Sequence, residues 1–282
     1  MIRVQNTSIK VGHFPDNTQL IKFDPFEELY FDRIEDWDTS PIVIDWIYES
    51  DEELVSLMYL TQHLRSHGFK DIRLFMPYLP NARQDRVKTD EDVFTLKYFA
   101  QMINWLNFNR VTVLDPHSNV SIALIDRIEV LQPKSCIQEA FKVLYEDKNE
   151  WDDKVLVFFP DEGSMKRYSE HFNGPYVYGN KVRDFATGKI KSLQLCGDVE
   201  LIKDARILII DDICSRGGTF IMSAEALKKA GAKEVNLYVT HCENNALTGN
   251  LFDNVNKVFT TESIVHKPEL AEKVIYVNGD IF

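Results

Sequence analysis

Short, almost unbroken apolar runs alternate with stretches of helical periodicity along most of this chain, and that alternation restricts its fold more than any other feature. Ile42–Trp46, Ile72–Tyr78, Val111–Leu114, Val155–Phe159, Tyr176–Tyr178, Ile207–Ile210 and Glu234–Thr240 all have strand length. Strands this apolar need cover on both faces, which is the mark of parallel sheets flanked by helices, an α/β fold. Between them, Ser50 and Glu53 form a capping-box pair ahead of Leu54, Leu57, Met58, Thr61 and Leu64, and Gly68 stops the run. Val93–Asn107 sets Leu96, Phe99, Ile103 and Leu106 on one helical face, and helices are also expected at Ser135–Glu146, Ser164–Phe172 and Thr219–Ala230. A polar stretch around Gln132–Ser135 marks the boundary, so the expectation is two domains, 1–134 and 135–282, without a sequence repeat between them.

Charge narrows the partners. With 32 Lys and Arg against 44 Asp and Glu, the net charge of −12 argues against nucleic acid or an anionic membrane as a partner. It leaves room for small anions, which need only a local cationic cluster. No apolar run approaches the roughly 18 residues of a membrane helix, and Met1–Lys10 lacks the apolar core of a signal peptide. Cys136, Cys196, Cys214 and Cys242 are too far apart for a local metal motif and too few for a disulfide scaffold. A soluble, cytoplasmic chain is expected.

In α/β folds ligands lie beyond the carboxyl ends of the strands, and several strand ends here carry unusual residues. The most informative segment is ILIIDDICSRGGT at Ile207–Thr219. Asp211 and Asp212, at a strand tip, suit adjacent ribose hydroxyls. Ser215, Arg216, Gly217, Gly218 and Thr219 form a glycine turn into a helix, where N–H groups and the helix dipole favour a phosphate. The plainer alternative is a strand–turn–helix junction with a solvated Asp pair. PYLPNARQDR at Pro77–Arg86 offers Arg83, Gln84, Asp85 and Arg86; guanidinium forks suit phosphate oxygens, although such runs also occur as solvated loops. After the next strand, His117 of Asp115-Pro116-His117 suits metal binding or proton transfer, where a lone histidine is otherwise structural. Asp161, in PDEGSMKR, suits Mg²⁺ or else simply an N-cap. Lys181 and Arg183, two apart in an extended segment, project to one side, as a loop closing over a polyphosphate would require.

In this order, from about Phe14 to Ile264, the segments resemble ribose-phosphate diphosphokinases, also called phosphoribosyl pyrophosphate synthetases. FPDNT at Phe14–Thr18 is similar to that family's adenine-binding turn, PYLPNARQDR to its ATP loop, and DPH to its metal motif. PDEGSMKR, DDICSRGGT and the stretch Ala224–His241 follow the family's later segments. The resemblance implies two tandem phosphoribosyltransferase-like (Rossmann-like) domains, each a mainly parallel sheet flanked by helices: an ATP-binding domain at 1–134 and a ribose-5-phosphate-binding domain at 135–282. It implies transfer of the β,γ-diphosphoryl group of ATP to the C1 hydroxyl of ribose 5-phosphate, releasing AMP. By position, Phe14 would stack on adenine, with Asp16, Asn17 and Thr18 contacting it, and Arg83, Gln84 and Asp85 would bind ATP. His117 and Asp161 would hold Mg²⁺, Asp211 and Asp212 the ribose hydroxyls, Ser215–Thr219 the 5-phosphate, and Lys181 and Arg183 would be catalytic. It also implies a homo-oligomer, at least a dimer; the chain ends soon after Val277 without the long final helix of typical members. A phosphoribosyltransferase and a non-catalytic, synthetase-like regulatory subunit are the alternatives.

The sequence departs from the family at Thr18 (usually Glu), Ser164 (Gly), Ser215 (often Asp) and Arg216 (Thr). Thr89-Asp90-Glu91 replaces a basic stretch used in phosphate or ADP regulation, so weak or absent control by those anions is expected.

Overall fold

The computed structural model describes residues 1–23, 40–146, 155–172, 174–183 and 190–282. The chain divides into two compact units, Met1–Gln132 and Pro133–Phe282.

The first unit runs β1 (Ile2–Val4), β2 (Thr7–Ser8), β3 (Lys10–His13), β4 (Gln19–Lys22), β5 (Ile42–Trp46), α1 (Glu53–Ser66), β6 (Ile72–Phe75), α2 (Thr95–Trp105), β7 (Arg110–Leu114), α3 (Asn119–Leu124) and β8 (Ile128–Leu131). Its main sheet has the order β2-β1-β5-β6-β7-β8, parallel from β5 to β8 and antiparallel at β1, while β3 and β4 form a separate hairpin. Burial alternates along β5 and β6, as period-2 strands with one sealed face require. Ile42, Ile44, Trp46, Ile72, Leu74, Val111 and Val113 feed one core with Leu57, Leu60 and Leu64 of α1 and Leu96, Phe99 and Ile103 of α2. The capping box ahead of α1 forms by half. Glu53 accepts the N–H of Ser50 (3.4 Å) and of Glu49 (2.9 Å), but Glu52 holds the N-cap position and no side-chain cap bond forms there.

The second unit runs α4 (Lys134–Glu146), β9 (Val155–Phe159), α5 (Glu162–Tyr168), β10 (Tyr176–Arg183), β11 (Ile190–Gly197), β12 (Arg206–Cys214), α6 (Gly218–Lys229), β13 (Glu234–Cys242), α7 (Asn244–Thr248), β14 (Val258–Thr260), α8 (Pro268–Ala271) and β15 (Ile275–Tyr276). The sheet order is β11-β10-β9-β12-β13-β14-β15, parallel except for the β10–β11 hairpin. β12 and β13 are buried almost continuously. Ile207 and Ile209 pack into a core on one face, and Leu208 and Ile210 into another on the opposite face. β12 also runs through Asp211 and Asp212 to Cys214, four residues beyond the apolar run that ends at Ile210.

Candidate active site

In the second unit the chain leaves β9 towards β10 on one side and returns to β12 on the other, so the strand order reverses between β9 and β12. Such a reversal opens a crevice beyond the strands' carboxyl ends. Asp161 stands two residues beyond the end of β9, after Pro160. Its Oδ1 accepts the N–H of Gly163 (3.0 Å) and of Ser164 (3.1 Å) and so caps α5. Ser164 and Arg167, one turn apart on α5, reach across to β12. Ser164 Oγ donates to Asp211 Oδ1 at 2.7 Å, and Arg167 Nη1 to Asp212 Oδ2 at 3.2 Å. Both carboxylates are therefore fixed before any ligand arrives. Burial pushes the Asp211 carboxyl well above the usual carboxylate range; the charges of Asp212 and Asp161 add to the rise, and the Ser164 hydroxyl opposes it.

Beyond Cys214 the loop is short. Gly217 takes a left-handed conformation (φ 79°), and a Cβ there would meet Leu251 Cδ1 at 3.2 Å, so glycine is favoured. A Cβ on Gly218 would meet nothing within 4 Å, which leaves the space over the start of α6 open. No side chain caps that helix among the described residues, so its first N–H groups point out with the positive end of the helix dipole. An anion fits there. Ser215 Oγ donates to Glu243 Oε2 at 2.6 Å, a contact the sequence reading missed. The signal was present, because Glu243 follows directly on an apolar strand and so stands at a carboxyl end beside β12. Cys214 and Cys242 are opposite each other at the ends of these strands and fully buried. The Cys214 contact, aided by His266, brings the Cys242 thiol down to about 7 against the effect of burial.

In the first unit β6 and β7 are parallel neighbours, so the loops that leave them are neighbours too. Pairing continues past the strands through Met76 N–H to Thr112 O (2.8 Å) and Leu114 N–H to Pro77 O (3.0 Å). Tyr78, Leu79 and Ala82 are buried and anchor the first loop, which turns Arg83, Gln84 and Arg86 outward. Asp85 is only 7% exposed and forms a two-point pair with Arg86 (2.8 and 3.3 Å). That guanidinium, with Ser118 and His117 nearby, holds the Asp85 carboxyl below its usual range in spite of burial. Arg83, Gln84, Asp85, Arg86, Lys88 and His117 line one cleft of about 570 Å³, together with the acidic Glu91 and Asp92. Asp92 accepts the N–H groups of Lys88 and Thr89, both at 2.9 Å, and fixes that part of the lining.

Other residues lie elsewhere. Phe14, Asp16, Asn17 and Thr18 form the β3–β4 turn, with Phe14 half exposed; Asp16 accepts the Thr18 N–H and hydroxyl, and Asn17 has φ 68°. None of the four lines the cleft. The backbone of Lys181 and Arg183 lies in β10, opposite Leu193 and Ile190 of β11, with a register shift between Val182 and Arg183. Their side chains lie outside the described residues. Among the described residues no three His, Cys, Asp or Glu side chains converge on a cation position. Mg²⁺ is commonly bound through one or two carboxylates together with substrate phosphates and water, and Asp161 offers such a carboxylate.

The fold and these strand-end constellations define a class: a protein of two phosphoribosyltransferase-like α/β domains. A family model described as the N-terminal domain of ribose phosphate pyrophosphokinase matches residues 3–106, and one described as a phosphoribosyl transferase domain matches residues 139–273. The ribose-phosphate pyrophosphokinase of Thermococcus kodakarensis is 29% identical over 237 residues, 83% of this chain and 77% of its own length. That of Saccharolobus solfataricus is 28% identical over 198 residues, 69% of this chain and 65% of its own length. The crystal structure of phosphoribosylpyrophosphate synthetase from Mycobacterium smegmatis shares the fold, with a TM-score of 0.70 at 16% identity over 96% of this chain and 86% of that one. The chain belongs to the ribose-phosphate pyrophosphokinase family.

Proposed function

We propose that this chain transfers the β,γ-diphosphoryl group of ATP to the C1 hydroxyl of ribose 5-phosphate, giving phosphoribosyl pyrophosphate and AMP. The observation that carries the reading is the fixed carboxylate pair Asp211 and Asp212 beside an open, glycine-lined helix start, in a chain whose other unit presents an Arg-rich cleft. The carboxylates accept the ribose hydroxyls, and the N–H groups of Ser215–Thr219 receive the 5-phosphate. Arg83, Arg86 and Lys88 spread positive charge along the triphosphate, and Gln84 and the Asp85–Arg86 pair fix its position. Phe14 stacks on adenine, with Asp16–Thr18 along its edge.

In the chemical step the C1 hydroxyl oxygen attacks the β-phosphorus and gives up its proton to water, the bond to the α,β-bridging oxygen breaks, and AMP departs with that oxygen. Negative charge grows on the phosphoryl oxygens and on AMP, so catalysis consists of positioning and charge stabilisation, here by Lys181 and Arg183. His117 of the first unit and Asp161 of the second would each offer a ligand to Mg²⁺, which would neutralise phosphate charge.

The protein acts in the cytoplasm as a homo-oligomer, at least a dimer, and no helix among the described residues is long and apolar enough to cross a membrane. Asp90 and Glu91 repel inorganic phosphate and ADP as effectors. The test is AMP release from ATP by the purified chain with Mg²⁺. Release that depends on ribose 5-phosphate is expected, and ADP as the nucleotide product would overturn the proposal.

A further inference from the structure

We infer that Glu243 is a positioning residue for the phosphate loop: it fixes Ser215, and through it the N–H groups of Arg216–Thr219, in the arrangement that receives the 5-phosphate. This rests on the assignment of that loop to ribose 5-phosphate and goes further by naming what holds it in place.

β12 and β13 stay paired as far as Cys214 and Cys242. One residue later the Glu243 N–H donates to the Cys214 carbonyl at 2.9 Å, and the Glu243 carboxylate accepts the Ser215 hydroxyl at 2.6 Å. A main-chain and a side-chain bond thus grip the loop on either side of the Cys214–Ser215 peptide. Glu243 is itself anchored through Asn244, whose side chain donates to the Val265 carbonyl (3.0 Å) and accepts the Lys267 N–H (3.3 Å). At the far end the Gly217 carbonyl accepts the Ile221 N–H at 2.9 Å and so ties the loop into α6. The loop is therefore held at both ends, with Arg216 exposed between them.

The chemistry gives the grip a distinctive signature. Ser215 has one hydroxyl proton, and it is directed at Glu243, so a bound phosphate meets the main-chain N–H groups rather than that hydroxyl. A hydrogen bond to a carboxylate is stronger than a neutral one, so losing it frees the loop. The amide oxygen of glutamine can still accept the Ser215 proton while carrying no charge to repel the phosphate.

The experiment uses the full chain with Mg²⁺, measuring ribose 5-phosphate binding by calorimetry and steady-state kinetics for the wild type, Glu243→Ala, Glu243→Gln, Ser215→Ala and the Ser215→Ala/Glu243→Ala double variant. For Glu243→Ala we expect the KM and Kd for ribose 5-phosphate to rise about tenfold, with kcat and the KM for ATP within about twofold of wild type. Glu243→Gln should restore sugar-phosphate affinity to within about threefold of wild type, and the double variant should be no worse than Glu243→Ala. Unchanged affinity in Glu243→Ala, or additive losses in the double variant, overturns the inference while leaving the reaction assignment standing. A wild type that binds no ribose 5-phosphate overturns the reaction assignment and this inference with it. If Glu243→Ala does not fold, Ser215→Ala decides: full affinity in that variant overturns the inference.

Discussion

The two sheets share a class but not a burial pattern. In β5 and β6 every second residue is sealed, and the alternate positions, such as Val43, Asp45 and Arg73, remain half open. In β12 and β13 nearly every residue is buried, with separate cores above and below. The candidate sites differ accordingly. The first unit offers long side chains on an exposed loop, whereas the second offers main-chain N–H groups and two carboxylates fixed in advance by Ser164 and Arg167. Substitutions at the first site should change binding and spare stability; at the second, binding and stability should move together.

The largest expected effect lies at the β10–β11 hairpin. Lys181→Ala should lower turnover about a thousandfold with an unaltered unfolding midpoint. Wild-type turnover in a stopped assay would remove Lys181 from the chemistry.

Next comes the buried start of β12, the central strand of the second unit's sheet. Arg206 has a side chain 5% exposed, pairs with Glu234 at 2.6 Å and donates to the Leu144 carbonyl at 2.6 Å. Arg206→Leu should cost about 3 kcal/mol in urea unfolding at pH 7, whereas the exposed Arg110–Glu129 pair should cost under about 1 kcal/mol when broken. Equal losses would erase the contrast between the units. Burial raises the Glu234 pKa, but the hydrogen bonds and charge of Arg206 outweigh it, and the net value lies below the usual 4.5. The pair's contribution is thus complete above 4.5 and fades as acid carries the pH down through the depressed folded value, so the Arg206→Leu deficit should shrink there.

Asp211→Ala should raise the KM for ribose 5-phosphate about thirtyfold and change that for ATP far less. A change confined to ATP would put the sugar in the wrong unit. Gly217→Ala should cost about 1–2 kcal/mol through its left-handed backbone and the Leu251 contact, and should weaken sugar-phosphate binding with it. The smallest effect concerns regulation: inorganic phosphate should activate, and ADP inhibit non-competitively, by less than about twofold. Strong responses in steady-state rates would place an effector site elsewhere than Thr89–Glu91.

Much of this architecture was legible because burial writes itself into sequence. Ile42–Trp46 and Val155–Phe159 emerge at the expected bounds, and Leu96, Phe99, Ile103 and Leu106 are buried together. What escaped lacked that cause. β10 runs on through Gly179, Asn180 and Lys181 because antiparallel pairing with β11 sustains it, and an edge hairpin needs no continuous apolar run. β14 and β15 are too short for a periodic signal. β12 passes through its two aspartates because Val239 and His241 of β13 continue the ladder beside them. The site residues were visible as strand-end chemistry, but their holders were not. Ser164, Arg167 and Glu243 act across tertiary contacts 28 to 47 positions away, which no local spacing encodes.

The central claim is that one chain joins an intact diphosphoryl group to the anomeric oxygen of ribose 5-phosphate. ³¹P NMR of the purified protein with ATP, Mg²⁺ and ribose 5-phosphate tests it directly. The account predicts AMP growing together with a coupled diphosphate pair on a sugar that keeps its 5-phosphate resonance. A spectrum that gains only ADP and inorganic phosphate, or shows no change while the folded protein is present, would contradict it.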